Sequence, residues 1–234
     1  MPDDMRPSQT TSTFFERLMR ETAAEQALLM SVPQISDGLR GQISRPTYIA
    51  YLSQAYHHVR HTVPLMRWTK AHLSPDAALF QEALDEYVLE ETGHEEWILN
   101  DIRAAGGDAE AVRSSAPLPA TEFMVSFAYD YIARINPLGF FGMVFVLEGT
   151  STQIASQGAD AVMTSLGLPR SAFTYLFSHG ALDLEHMNFF AKLMSSVTSP
   201  SDQDAIIHMA KRMFILFANV FASIPHDPEQ AHES

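Results

Sequence analysis

The stretch His179-Gly-Ala-Leu-Asp183-Leu-Glu-His186 places three metal-ligand side chains at positions i, i+4 and i+7. A helix turns by about 100° per residue, so the three side chains fall within one narrow stripe. Apolar residues, among them Leu176 and Phe190, continue the stripe at both ends. Burying two imidazoles and a carboxylate is costly unless they find partners, and one metal ion satisfies all three. The pattern therefore predicts a metal site at His179, Asp183 and His186.

Composition limits which metal chemistry is available. The 234 residues include ten histidines and no cysteine, so disulfides, thiolate metal sites and a cysteine nucleophile are excluded. Any metal here must be held by nitrogen and oxygen. The net charge of −13, with scattered Lys and Arg, argues against nucleic-acid binding. No apolar run of the roughly 18 residues that a membrane span needs is visible, and the N-terminus does not resemble a signal peptide, so we expect a cytoplasmic protein without membrane contact.

Hydrophobic periodicity and helix-terminus signals predict an all-α chain. Ser44 followed by Pro46 marks one helix start, and Ala105-Gly-Gly-Asp108 marks one helix end. We expect a single-domain bundle of about seven helices. The predicted segments are a flexible arm at 1–12, helices at about 13–30, from 44 with an interruption at Pro64, 77–104, 120–135, from 138, 171–197 and 200–224, a loop at 32–43, a linker at 108–119 and a flexible tail at 225–234.

Two further helices carry candidate ligands on apolar stripes. Glu91 and His94 stand where core residues are expected, between Tyr87 and Ile98. Their spacing is the one by which helical bundles present a carboxylate and an imidazole to a metal pair, although such pairs also occur on surfaces. Glu148 is the only charged residue between Arg134 and Asp160, which favours a metal ligand over a protonated core Glu.

The segment His57-His58-Val-Arg60-His61 offers one more candidate ligand. His58 falls within the apolar stripe of its helix and is either a ligand or a core histidine. His57 and His61 share a side with polar residues, so we expect them at a surface or a pocket rim. Arg60 could meet a substrate carboxylate, and a solvated face explains it equally well.

The combined donor set is three imidazoles and three carboxylates: Glu91, His94, Glu148, His179, Asp183 and His186. A structural zinc site is normally closed by four ligands, so six exceed what one ion needs. Mixed nitrogen and oxygen ligands suit iron or manganese. We therefore expect two iron or manganese ions per chain, with open positions for O₂ and substrate.

These residues resemble the haem-oxygenase-like diiron oxidase family, also described as iron-containing redox enzymes, within the fold that hosts the haem oxygenase, TenA and PqqC families. The resemblance covers about residues 13–224. The matching elements are Glu91 and His94 in Glu-Glu-Thr-Gly-His, Glu148 in Val-Leu-Glu-Gly, and the H-x₃-D-x₂-H motif. It implies that these six residues form the catalytic metal centre, and that two ferrous ions use O₂ to oxidise a small molecule.

The resemblance also has a departure. Several members carry a further Glu ligand on the helix that here contains His58, and no carboxylate is present there. Either His58 substitutes for it or the second iron is held weakly. TenA-type thiaminases use a cysteine nucleophile, which this chain lacks. A haem oxygenase needs a proximal histidine on its first helix, and residues 13–30 contain none.

The reaction outcomes implied are N-oxygenation, desaturation or oxidative C–C cleavage of an amino-acid-like or fatty-acid-like substrate. The expected partners are this substrate, O₂ and an external electron donor, with a homodimer as a further hypothesis. Two rival readings stay open. The first is a PqqC-like metal-free oxidase of cofactor biosynthesis, and the second is a non-enzymatic helical binding protein with a buried polar network.

Overall fold

The computed structural model describes residues 13–226, except for the side chains of residues 179–186. No strand occurs in the described range, which confirms the all-α prediction. Eleven α-helices lie in that range, rather than about seven. They are α1 Phe14–Met30, α2 Pro33–Gly38, α3 Arg45–Val59, α4 Thr62–His72, α5 Ala78–Glu91, α6 His94–Ala104, α7 Ala109–Ser114, α8 Pro119–Arg134, α9 Phe140–Leu166, α10 Thr174–Ser195 and α11 Pro200–Ser223.

Several helix ends lie where the sequence places them. Thr13 forms a capping box with Glu16 at the start of α1, and Ser44 accepts a hydrogen bond from the Thr47 backbone N–H at the start of α3. The chain between α3 and α4 breaks at Arg60–His61, just before Pro64, because proline fits the first turn of a helix but not its interior. Gly167, with a φ of 60°, ends α9.

Three differences, together with the break between α3 and α4, account for the additional helices. The predicted loop at 32–43 contains α2, which begins at Pro33, and the predicted linker at 108–119 contains α7, whose first N–H groups are capped by the Asp108 carboxylate. The predicted helix over 77–104 is two helices, because Gly93 adopts a φ of 95°, which interrupts the helix between α5 and α6. The predicted arm at 1–12 and most of the predicted tail at 225–234 lie outside the described residues.

The helices enclose two clusters of buried apolar side chains. The larger cluster draws on α1, α4, α5, α8, the first part of α9, the end of α10 and α11. The smaller cluster lies between α3, α6, the last part of α9 and the start of α10. Helices α9 and α10 pack along each other and contribute to both clusters. The middle of each therefore lies where the two clusters meet, and Glu148 and the H-x₃-D-x₂-H motif fall in those middles.

Close packing fixes the position of α9. A Cβ at Gly142 would clash with the Ile206 carbonyl oxygen and would lie 2.8 Å from the Ala210 nitrogen, so glycine allows α9 and α11 to touch backbone to backbone. The stretches Pro137–Leu166 and Pro200–Ser223 are long and apolar enough to cross a membrane by length and composition, although we expected no such run. In each, 56% of the apolar window is buried inside the fold, and both contribute core residues.

Candidate metal centre

A cavity of about 80 Å³ contains three of the predicted ligands. Glu91 from the end of α5, Glu148 from α9 and His58 from α3 all line it, although they are far apart in sequence. We call it the carboxylate cavity. Most of its remaining wall is apolar: Val59, Leu65, Met66, Phe140, Met143, Val144, Leu147 and Phe217. An apolar wall around two carboxylates excludes water and strengthens any interaction with a cation.

Glu91 and His94 lie together at the break between α5 and α6. The His94 Nδ1 is 3.0 Å from the Glu91 Oε2, and the two residues are only 3% and 8% exposed. The His94 ring stacks on the Trp97 ring with a centroid distance of 4.0 Å. A histidine that donates its Nδ1–H to a carboxylate keeps the Nε2 lone pair for a metal, which is how carboxylates orient metal-binding histidines.

Glu148 reaches the same cavity from α9. Its side chain is partly buried, and the Oε2 atom is inside the protein. Its backbone carbonyl accepts a hydrogen bond of 2.8 Å from the Thr152 hydroxyl, one turn later. Two carboxylates beside one small apolar cavity repel each other and are costly to bury unless a cation or protons compensate.

The three neighbouring histidines have different environments. His58 is buried, lines the carboxylate cavity and meets the Phe217 ring edge-on. His57 is also buried, and its Nε2 is 3.0 Å from the Ser115 hydroxyl, so the expectation of a surface or rim position was wrong. His61 is half-buried, with Nδ1 3.3 Å from the Tyr129 hydroxyl. Burial lowers the pKa of both His57 and His61.

Arg60 and Tyr87 do not line the carboxylate cavity. Arg60 is exposed to solvent, with its guanidinium 5.5 Å from the Tyr56 ring centre, as the solvated-face reading predicts. Tyr87 is buried in the larger cluster against the Phe189 ring.

The H-x₃-D-x₂-H motif lies on α10, as the sequence predicts. The side chains of His179, Asp183 and His186 fall outside the described residues. Helix α10 packs against both α9, which carries Glu148, and α6, which begins at His94. The fold thus brings the helices of all six predicted ligands together.

Sequence reasoning missed Asp101, which holds the start of α10. Its carboxylate is fully buried and accepts hydrogen bonds of 3.0 and 2.8 Å from the backbone N–H groups of Thr174 and Tyr175. Burial raises the pKa of Asp101 to about 6, against the opposing effect of these hydrogen bonds. The missed signal was its spacing, since Asp101 lies seven residues after His94 on the face that also contains Ile98.

The donor set fits iron only if α10 contributes to it. Among the side chains described, no three His, Asp or Glu residues are clustered closely enough to hold a metal ion. Glu91, Glu148 and His58 share a cavity, and Glu91 orients His94. Nitrogen and oxygen donors therefore come from three different helices around the cavity, α3, α5 and α9. These donors are the types that iron and manganese prefer.

Comparison with known proteins agrees with this architecture. A domain of unknown function with a heme oxygenase-like fold from Shewanella denitrificans has a TM-score of 0.82 and 22% identity, covering 92% of this chain and 93% of that one. A TenA homologue from Pseudomonas syringae has a TM-score of 0.74 and 11% identity, covering 100% and 98%. Heme oxygenase-1 from Synechocystis, in complex with heme, has a TM-score of 0.72 and 11% identity, covering 95% of each chain. These likenesses establish a haem-oxygenase-like fold.

The sequence gives a more specific result. No curated protein matches the chain. The family described as iron-containing redox enzyme matches residues 49–218, a range that contains every predicted ligand. Since this match covers most of the sequence, the chain belongs to the iron-containing redox enzyme family.

Proposed function

We propose that this protein is a non-haem, iron-dependent oxidase or oxygenase that binds two Fe(II) ions and uses O₂ to oxidise a small organic substrate. The observation that carries the proposal is the convergence of Glu91, Glu148 and His58 on one apolar cavity, beside the helix with the H-x₃-D-x₂-H motif. Two carboxylates that line one small apolar cavity are costly to bury unless a cation or protons compensate them, and a bound metal would supply that cation.

Each residue has a defined task in this proposal. His94, His179 and His186 are terminal nitrogen ligands, with the His94 ring held by Glu91. Glu148, Asp183 and Glu91 would be the carboxylate ligands. Together the three carboxylates offset most of the charge of two divalent ions. Bound iron would supply the redox chemistry, and manganese would fit the same donors.

The apolar walls of the cavity would protect the metal centre. Phe140, Met143, Val144 and Leu147 line the cavity beside the carboxylates on the α9 side, where apolar side chains would limit the access of water. A dry site protects a reactive centre from side reactions. We propose that the electrons come from an external donor, because the protein has no cysteine from which it could draw them.

Iron loading of the full chain tests this function. We expect about two irons per chain after anaerobic loading with Fe(II), a Mössbauer spectrum of high-spin non-haem iron, and a spectral change on exposure to O₂. His179→Ala and Glu148→Gln should each lower the iron content. His72→Ala and Asp160→Asn change exposed residues of the same types and should leave the iron content unchanged.

Two results would overturn the proposal. One is a wild-type protein without stoichiometric iron, and the other is normal iron content in His179→Ala and Glu148→Gln together. Oxidation of a substrate by the iron-free protein would instead support a metal-free oxidase. A loss of stability without any loss of iron would point to a structural polar network.

A further inference from the structure

A second cavity of about 120 Å³ adjoins the carboxylate cavity. The two share Ser151, Tyr175 and Phe217 as wall residues, so they lie side by side. The second cavity lies between α2, α3, α9, α10 and α11, and we call it the apolar cavity. Its walls include Ile35, Leu39, Ile154, Val162, Leu176 and Phe221.

No described residue that lines the apolar cavity carries a charge. Several of its polar groups are already engaged with protein atoms. The Tyr48 hydroxyl donates to the Ala172 carbonyl at 2.7 Å, and the Gln34 amide donates to the Ile224 carbonyl at 3.0 Å. Burial raises the pKa of Tyr51 far above its usual range, so this residue stays a neutral phenol. The cavity therefore suits an uncharged, apolar group.

Thr150 differs from these polar residues, because its hydroxyl is not engaged with another protein group in the described part of the chain. It is 5% exposed, lines the apolar cavity, and its hydroxyl oxygen has no hydrogen-bond partner among the described residues. Helical threonines usually donate to the carbonyl four residues earlier, as Thr69 and Thr152 do here at 2.8 Å. A buried hydroxyl without a partner is costly, so its place in a cavity wall points to a ligand that supplies the partner.

We infer that the apolar cavity holds an uncharged aryl or short alkyl arm of the substrate, with one oxygen or nitrogen of that arm hydrogen-bonded to Thr150. This inference rests on the proposed function, because it places the reacting end of the substrate in the carboxylate cavity. A cavity of about 150 Å³ in another protein holds one benzene molecule. A volume of about 120 Å³ thus suits a single aromatic ring or an alkyl group of similar size.

The wall also offers a way to fill the cavity. Gly158 on α9 lines it, and a Cβ added there would lie 3.8 Å from a Leu39 methyl group, an ordinary contact distance. A leucine at this position would occupy space inside the cavity. Gln157, next to it on α9, is exposed, so Gln157→Leu adds the same side chain outside the cavity.

Binding of three small probes to the iron-free full chain, followed by NMR titration, tests the inference. Benzyl alcohol and toluene should bind, whereas phenylalanine, which has the same ring but carries two charges, should bind more weakly than benzyl alcohol.

Gly158→Leu should weaken benzyl alcohol binding by at least about tenfold, and Gln157→Leu should leave it unchanged. Thr150→Val should weaken benzyl alcohol by about five- to tenfold and leave toluene unchanged. Melting curves check that each variant folds. Should Gly158→Leu not fold, Gly158→Ala should give a smaller loss in the same direction.

Three results would overturn the inference: phenylalanine binding more tightly than benzyl alcohol, no effect of filling the cavity at Gly158, or equal effects of Thr150→Val on benzyl alcohol and toluene. The readout needs no iron, so it separates the two proposals. Normal iron loading without probe binding would overturn only the assignment of the apolar cavity. Probe binding without iron loading in the wild type would overturn only the proposed function.

Discussion

At the scale of single residues, Glu148 distinguishes a metal site from a structural network. It shares the carboxylate cavity with Glu91, so in iron-free protein two acidic groups line one small, mostly apolar cavity. We expect Glu148→Gln to raise the free energy of unfolding of the iron-free protein by about 1 kcal/mol, because the change removes a buried charge and keeps the side-chain shape. Urea denaturation of wild type and variant, both treated with a chelator, measures this.

The matched control for Glu148→Gln is Asp160→Asn, an exposed acid on the same helix, which should change stability by less than about 0.5 kcal/mol. A Glu148 held in place as a structural hydrogen-bonding residue would give the opposite sign. A clear loss of stability in iron-free Glu148→Gln therefore speaks for the polar-network reading.

The pair Glu91 and His94 shows how far spacing alone can carry a prediction. The three-residue separation predicts that the two side chains face one metal pair, and in the structure they also contact each other at 3.0 Å. The reason differs from the prediction, which assumed one continuous helix. Instead Glu91 ends α5 and His94 begins α6, with Gly93 between them in a left-handed conformation. Gly93 is the residue that permits the break. Local sequence does not predict whether the helix breaks there, because tertiary packing decides whether a helix continues through a glycine.

At the scale of elements, the start of α10 depends on a carboxylate from another helix. Asp101 on α6 caps the N-terminal N–H groups of α10, and the Tyr48 hydroxyl binds the Ala172 carbonyl just before it. Helices normally find such caps in their own preceding residues, and Phe173 cannot supply one. Helix α10, which carries three predicted ligands, is thus positioned by α3 and α6.

This cap predicts a specific pH dependence of stability. The pKa of Asp101 rises from 3.8 to about 6 on folding, so the folded state favours the protonated carboxyl. Its contribution to stability is complete below about pH 4 and is lost as the pH rises through about 6, a change of up to about 3 kcal/mol. Asp101→Asn cannot titrate, so its difference from wild type in unfolding free energy should vary between pH 4 and 7.

Urea denaturation of iron-free protein at several pH values measures this dependence. Asp160→Asn, which changes an exposed acid, should keep a constant difference from wild type over the same range. A constant difference for Asp101→Asn as well would mean that the cap does not titrate there.

At the scale of the whole molecule, the sequence predicts most helix positions, but it does not predict cavities that form between helices from distant parts of the chain. The predicted starts of α1, α3, α8 and α11 lie within a residue or two of the observed ones. The short α2 was read as a loop, because six residues carry too little periodicity to mark a helix. Since α2 is the outer wall of the apolar cavity, that cavity could not be predicted either. It exists only where five helices from distant parts of the chain meet.

Iron binding should be visible as stability of the entire molecule, because the proposed ligands come from α5, α6, α9 and α10 and the last two helices join both apolar clusters. A ligand that binds only the folded state stabilises it by about 2.7 kcal/mol at 100 times its Kd. In a chain of this size that corresponds to a rise of roughly 5 to 10 °C in Tm. We expect anaerobic Fe(II) to raise the Tm by this amount, and EDTA to reverse it.

His72→Ala should keep the full rise, since it removes only an exposed histidine. His179→Ala should lose most of it, because the change removes one of the proposed ligands and lowers the affinity of the folded state for iron. If His179→Ala kept the full rise in Tm, iron would be stabilising the protein by binding to other residues, such as surface histidines. The metal centre would then lie elsewhere.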